Sequence, residues 1–165
     1  MKKNLFIGLV WLLCCGCALQ GAEQMNPQGQ ETAKREIGKV VSEIFQSLEN
    51  MDVEALFRSY SDACGFILIN TEGVMINLPM ARFGHAEWFK SLSSLKITPS
   101  KEEFRFLPGN IVLCAWQGRF AMTMKTGAQL AIDKFGVTFV FSRIDGLWQV
   151  IYQHSSSLPP LPLKP

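Results

Sequence analysis

The chain has 165 residues, of which 48% are hydrophobic and 11% aromatic, with 16 Lys and Arg against 14 Asp and Glu. These proportions exclude disordered, collagen-like and strongly charged classes, and a formal charge of +2 is no electrostatic footprint for nucleic acid. No fixed-period repeat is visible, so one domain is the starting expectation.

Lys2 and Lys3 precede an apolar run over residues 5–19, after which Gln20, Gly21, Ala22 and Glu23 turn the chain polar. This is the pattern of a secretory signal over residues 1–22. The run is shorter than the ~20 apolar residues a spanning helix needs. Cys14, Cys15 and Cys17 lie at its end, where lipoprotein signals place a small residue before an acylated cysteine. Gly16 before Cys17 resembles that pattern, although Cys14 stands where leucine is usual. Cleavage after Ala18 fits the small-residue rule equally well. Mass spectrometry of the mature N-terminus separates the two, because a diacylglyceryl Cys17 and a free Leu19 are mutually exclusive. Either route leads out of a bacterial cytoplasm, to the periplasm or, with a lipid, to the outer membrane or cell surface. Removing Lys2 and Lys3 from the 16 basic residues leaves 14 against 14 acidic ones, so the mature chain is formally neutral and a polyanionic partner is disfavoured.

Residues 23–30 are polar, contain Pro and Gly and show no period, so they read as a tether. From residue 32 onward Ile37, Val40, Val41, Ile44, Phe45 and Leu48 recur at the spacing of one amphipathic helix face, with Lys34, Lys39, Glu43 and Glu49 opposite. Asp52 is an N-cap, and Val53, Leu56, Phe57 and Tyr60 restart the spacing in a second, shorter helix. Residues 65–70 read as a buried strand and 74–77 as its return across Thr71, Glu72 and Gly73. Pro79 ends that hairpin. Trp88, Phe89, Leu92 and Leu95 mark a third helix that starts near Gly84 and finishes before Thr98 and Pro99. Strands follow over 104–107, 111–125, 129–143 and 147–156, separated by Pro108-Gly109-Asn110, Thr126-Gly127 and Asp145-Gly146. Residues 157–165 are Pro-rich and form an extended cap or a free end. Helices on one face of an antiparallel meander make an α+β domain.

The two-residue turns set a register. Thr126-Gly127 places Phe120 opposite Asp133, Trp116 opposite Val137 and Cys114 opposite Phe139; Asp145-Gly146 places Phe141 opposite Val150, Phe139 opposite Tyr152 and Val137 opposite His154. Alternation then puts Trp116, Phe120, Asp133, Tyr152 and His154 on one aromatic face toward the helices. The other face carries Leu113, Ile132, Val140 and Ile151, more apolar surface than solvent exposure requires. Cys64 and Cys114 are the cysteines left in the mature chain; they can pair, although the apolar stretch around each favours two separately buried thiols.

Several stretches carry a family resemblance: the ending with Trp148, Val150, His154 and Ser156 after a short turn, the segment from Asp52 through Tyr60 to Asp62, and Gly84 to Phe89 in the third helix. In these, over residues 31–156, the chain resembles the SnoaL-like branch of the nuclear transport factor 2 (NTF2) superfamily. The resemblance implies an NTF2-like cone, with three helices from the N-terminal half packed on a curved antiparallel sheet of about six strands, an internal cavity, and dimerisation through the outer sheet face. Family members include ketosteroid isomerases, polyketide cyclases, dehydratases and domains that only bind or assemble, and fold alone does not choose among them.

The residues point first to a cavity walled by Tyr60, Trp88, Trp116, Phe120, Tyr152 and His154 that binds a small, largely apolar molecule. Asp133 on that face is either functional or at the open rim, the rim being favoured. Isomerase-type chemistry needs an early carboxylate base, and residues 66–70 and 74–77 contain no Asp. An enzyme of the cyclase, isomerase or dehydratase kind would use His154 with Tyr152; Asp133 lies ~13 Å along the neighbouring strand at ~3.3 Å per residue, which in this register excludes a His–Asp dyad unless a bulge intervenes. His85 is expected to cap or solvate the start of the third helix. His85 and His154, 69 positions apart, give no metal-ligand spacing, and no cofactor is expected. A homodimeric assembly module is the third reading.

Overall fold

The computed structural model describes residues 24–63 and 65–163. Residues 1–22, read above as an export signal, with Cys17, and Cys64 with its expected pairing or burial, lie outside the described residues.

Asn26 opens the first helix by accepting a hydrogen bond from the Gly29 amide at 2.8 Å, and Pro27 follows in the first turn, where a missing N–H costs nothing. Helix α1 spans Pro27–Glu49, so the expected tether over 23–30 is helical from residue 27. Polar and Pro-containing composition marks a helix start as readily as a linker. Ala33, Ile37, Val41, Ile44 and Leu48 form its buried stripe. Asp52 caps α2 (Val53–Leu56) through the Ala55 amide at 2.9 Å, and a 3-10 turn over Phe57–Ser59 carries the chain to Tyr60.

The short hairpin β1 (Ile67–Ile69) and β2 (Met75–Ile76) is held at its turn by the Asn70 side chain, which accepts from the amides of Glu72 and Val74. Helix α3 spans Leu78–Ser91. It begins before the expected start near Gly84 because Asn77 caps the Met80 amide at 3.0 Å and Pro79 sits in the first turn; Pro79 starts the helix as well as ending the hairpin. It also stops sooner than expected. Leu92 and Leu95 belong to β3 (Leu92–Leu107), which pairs along its length with β4 (Ile111–Met124). Helical spacing at Leu92 and Leu95 is overridden by that long-range ladder, and Pro99 is tolerated because β3 is an edge strand.

Strands β5 (Gln129–Ile144), β6 (Leu147–Ser157) and β7 (Leu161–Pro162) complete a sheet of order β2-β1-β6-β5-β4-β3. All neighbours are antiparallel except β1 beside β6. The Pro-rich tail is the extended cap: Leu161 pairs with Ala131 and Pro162 with Leu130, taking the β5 edge beyond the end of β6. Three helices thus pack on one face of a curved, open sheet. Their shared core includes Ile37, Ile44, Phe57, Phe139, Phe141 and Val150. Trp148 pins α1 to the β5–β6 hairpin by donating from Nε1 to Glu36 at 2.9 Å. Cys114 is buried in the core with its thiol toward Glu102 at 3.7 Å.

Two one-residue bulges decide which side chains reach the helices. Between β4 and β5, Trp116 faces Val137 and Cys114 faces Phe139 as the turn predicts, but nearer the turn Phe120 faces Ile132, and Arg119 alone spans both Asp133 and Lys134. Between β5 and β6, Phe141 faces Val150 as predicted, yet Val140 faces Tyr152, leaving Ile151 as the extra residue. Beyond it Phe139 faces Gln153 and Val137 faces Ser155, the places expected for Tyr152 and His154. The cause lies on the other edge of β6. Val150 bridges to Tyr60 and accepts from the Ser61 amide, while β1 takes over from Tyr152 onward. A strand serving two unconnected neighbours bends between them, and a bulge supplies the bend.

Candidate functional site

Between the helices and the sheet lies a cavity of about 550 Å³. Ile44, Phe45 and Leu48 of α1 form one wall, and His85 and Trp88 of α3 with Tyr60 form a second. The sheet side is Phe120, Phe135, Val137 and Phe139, with Gln153 and Ser155 beside them. Phe120 and Phe135 stack at 4.3 Å. The bulge puts Ile132 and Phe135 on the same face, since in an unbroken strand Phe135 would share a face with Asp133 and not with Ile132.

Of the residues expected in the wall, Tyr60, Trp88 and Phe120 are there. Trp116 is buried but lies beyond Phe45, their ring centroids 4.1 Å apart, and faces a separate, more open groove between α1 and β3. Asp133 is exposed on the opposite side, where it accepts a hydrogen bond from Arg119 Nε at 2.8 Å. Tyr152 and His154 do not line the cavity; His154 is exposed. The register inferred from the two-residue turns is corrected at these three residues: at Tyr152 and His154 by the β6 bulge, and at Asp133 because β4 and β5 pair one residue out of that register between the turn and the Arg119 bulge, Met122 with Leu130 and Phe120 with Ile132.

The residues brought in instead are His85, Gln153 and Ser155. With α3 starting at Leu78, His85 is a mid-helix residue one turn after buried Ala81 and four before buried Phe89, on the inward stripe. The cap at Asn77 with Pro79 behind it was the signal that places it there. Its Nδ1 lies 2.8 Å from the Ala81 carbonyl, which can only accept; Nδ1 therefore carries the hydrogen and Nε2 keeps a lone pair. Phe57, Trp88 and Phe89 meet the ring edge to face at 5.2, 6.2 and 6.1 Å. This apolar burial lowers the His85 pKa from its ordinary 6.5, with the Ala81 bond opposing.

A hydrogen-bonded strip crosses from helix to sheet. Tyr60 donates to Gln153 Oε1 at 2.8 Å, and Gln153 Nε2 donates to Ser155 Oγ at 3.1 Å. Burial pushes the Tyr60 pKa upward, keeping it a neutral donor. The wall therefore offers a neutral imidazole acceptor and a short chain of donors on a mostly apolar lining, whose other polar residues are Asn70, Thr71, Glu72 and Ser157. Among the described residues no cluster of three or more His, Cys, Asp or Glu is placed to hold a metal ion.

The His85 shift has a sign that can be checked. The unfolded chain binds a proton near pH 6.5 and the folded chain resists it to lower pH, so the His85 contribution is full above 6.5 and is lost as pH falls below it. Urea titrations between pH 8 and 5 are expected to show stability declining on acidification. The decline is expected to be flatter in His85→Gln, and identical slopes would show that burial leaves His85 unperturbed.

A SnoaL-like domain family model matches residues 37–161. Among curated proteins none matches the chain in sequence. Solved structures share the fold. A hexachlorocyclohexane dehydrochlorinase (LinA type 3) of Novosphingobium barchaimii superposes with a TM-score of 0.69 at 12% identity, covering 81% of this chain and 92% of that one. A putative dehydratase of the NTF2-like family from Streptomyces avermitilis gives 0.68 at 13%, covering 79% and 99%. An NTF2-like superfamily protein of Salmonella enterica serovar Typhimurium gives 0.69 at 15%, covering 79% and 94%. With the family match running from the buried stripe of α1 to the last strand, and the cone shared with these structures, the chain belongs to the SnoaL-like domain family of NTF2-like folds.

Proposed function

We propose that the cavity binds a small, largely apolar molecule, in a protein exported through residues 1–22. The observation that carries this is the hollow itself. A space of about 550 Å³ persists inside a mostly aromatic and aliphatic lining, with His85 and the Tyr60–Gln153–Ser155 strip among its few polar groups and Asn70, Thr71, Glu72 and Ser157 as the others. A domain that only needed a core would close it, since interiors pack to crystal-like density and each void forfeits contacts. A concave apolar pocket with a few convergent polar groups is the usual form of a small-molecule site.

Titration with tetralin and naphthalene, read by tryptophan fluorescence, tests the reading. Saturable quenching is expected, most of it lost in Trp88→Phe because Trp88 lines the cavity. Absence of saturation, or quenching indifferent to Trp88, would overturn it.

The placement of His85 favours a second reading, an enzyme that removes a proton from carbon. Dehydrochlorination and dehydration, the reactions in the names of two structural relatives, both require such a step. In this reading His85 takes the part that the turn-derived register assigned to His154 with Tyr152, and its check is the loss of α-hydrogen exchange from a bound ketone in His85→Gln.

A further inference from the structure

The direction of the hydrogen bonds in the strip says what kind of molecule the cavity takes; this rests on the cavity being a binding site. Tyr60 spends its hydrogen on Gln153, and Gln153 spends one amide hydrogen on Ser155. Ser155 is only 6% exposed, and no acceptor among the described residues takes its own hydroxyl hydrogen. It stands opposite Val137 on the sheet side of the cavity. A buried hydroxyl normally has partners for what it can give. The second amide hydrogen of Gln153 has no acceptor among the described residues either, and Gln153 and Ser155 are neighbouring inward positions of β6 that both line the cavity, so the strip has two hydrogens to give to one oxygen with two lone pairs.

Charge narrows the class further. No Lys or Arg lines the cavity, its one formal charge is the exposed Glu72, and His85 presents a neutral lone pair. A carboxylate or phosphate would be buried there without a counter-charge, which is strongly unfavourable. We infer that the ligand is an uncharged carbonyl compound, an apolar skeleton whose C=O oxygen is received by Ser155 and Gln153. Ser155 and Gln153 are then specificity-determining residues, and Tyr60 is a positioning residue that holds the Gln153 amide in place through its 2.8 Å hydrogen bond.

2-Tetralone and tetralin share a skeleton and differ by the carbonyl, so their affinities for the full chain, measured in parallel, isolate it. Ser155→Ala is expected to lower the ketone-to-hydrocarbon affinity ratio about tenfold while tetralin affinity and the melting temperature stay close to wild type. Tyr60→Phe, which removes no cavity wall, is expected to lower the same ratio about threefold. Tetralin-2-carboxylate is expected to bind at least roughly tenfold more weakly than the ketone. Saturable tetralin binding with a ketone ratio unmoved by either variant, or tighter binding of the carboxylate, overturns the carbonyl assignment and leaves the cavity reading standing. No saturable binding of any of the three removes both.

Discussion

Gly118→Ala is expected to destabilise the domain by about 3 kcal/mol, lowering the melting temperature by about 10 °C. Gly118 and Trp116 lie two apart on one strand, so both project to the same face, and the indole lies over the glycine. A Cβ at residue 118 would run into Trp116 Cη2, would stand 2.8 Å from Cζ2, and on its other side would meet the Thr98 carbonyl at 2.6 Å. Neither neighbour has an easy retreat. Thr98 is held in the β3–β4 ladder, and Trp116 is held under Phe45 at 4.1 Å. Swinging the indole away would also release Phe45, which forms part of the cavity wall, so ligand binding should weaken along with stability. Gly136→Ala is the control. Its Cβ would stand 3.4 Å from Ser156 Oγ, an ordinary contact, and a change within about 0.5 kcal/mol is expected. Thermal melts of the two variants separate a close approach at Gly118 from a general dislike of side chains in these strands; equal losses would remove the argument.

If the cavity is catalytic, His85→Gln should slow exchange of the α-hydrogens of bound 2-tetralone with solvent deuterium by about 10²–10³-fold, the scale of one positioned general base. The step balances within the site. Nε2 takes the α-proton, the C–H electron pair becomes the enolate double bond, and the carbonyl π pair moves to oxygen, where the Ser155 hydroxyl stabilises the charge. Deuterium from solvent then returns from Nε2 to carbon. Because burial lowers the His85 pKa, the ring keeps its lone pair at neutral pH, and exchange should fall as acid protonates it. His154→Gln is the comparison, since His154 is exposed and outside the cavity. A change below about twofold is expected there. The readout is loss of the α-proton NMR signal in D2O; equal behaviour of the two variants, or a larger loss in His154→Gln, sinks the catalytic reading.

Much of the fold was legible in the chain. Asp52 announces its helix by side-chain chemistry alone, and the Thr126-Gly127 and Asp145-Gly146 turns announce their hairpins. The register away from the bulges, Trp116 with Val137 and Phe141 with Val150, follows from counting. Asn77 with Pro79 was equally readable as a helix start, and reading it so carries His85 into the cavity wall. Leu92 and Leu95 illustrate a different limit. Their spacing suits helix or strand, and a 16-residue ladder with β4 outweighs local preference.

What the sequence by itself determined is the order of elements, the turns, the aromatic character of the concave face and the family. All of these rest on local signals: caps, turn residues and alternation. Only the tertiary structure decided which polar residues enter the cavity. Gln153 and Ser155 face it in place of Tyr152 and His154 because β6 bends at Ile151 to serve both Tyr60 and β1; Ile132 takes the place of Asp133 because β4 and β5 pair one residue out of the turn-derived register up to the bulge at Arg119. A bulge carries no reliable local signature, since its stability comes from distant neighbours competing for one strand. Because side chains alternate with a period of two, one extra residue is enough to turn every later side chain to the other face.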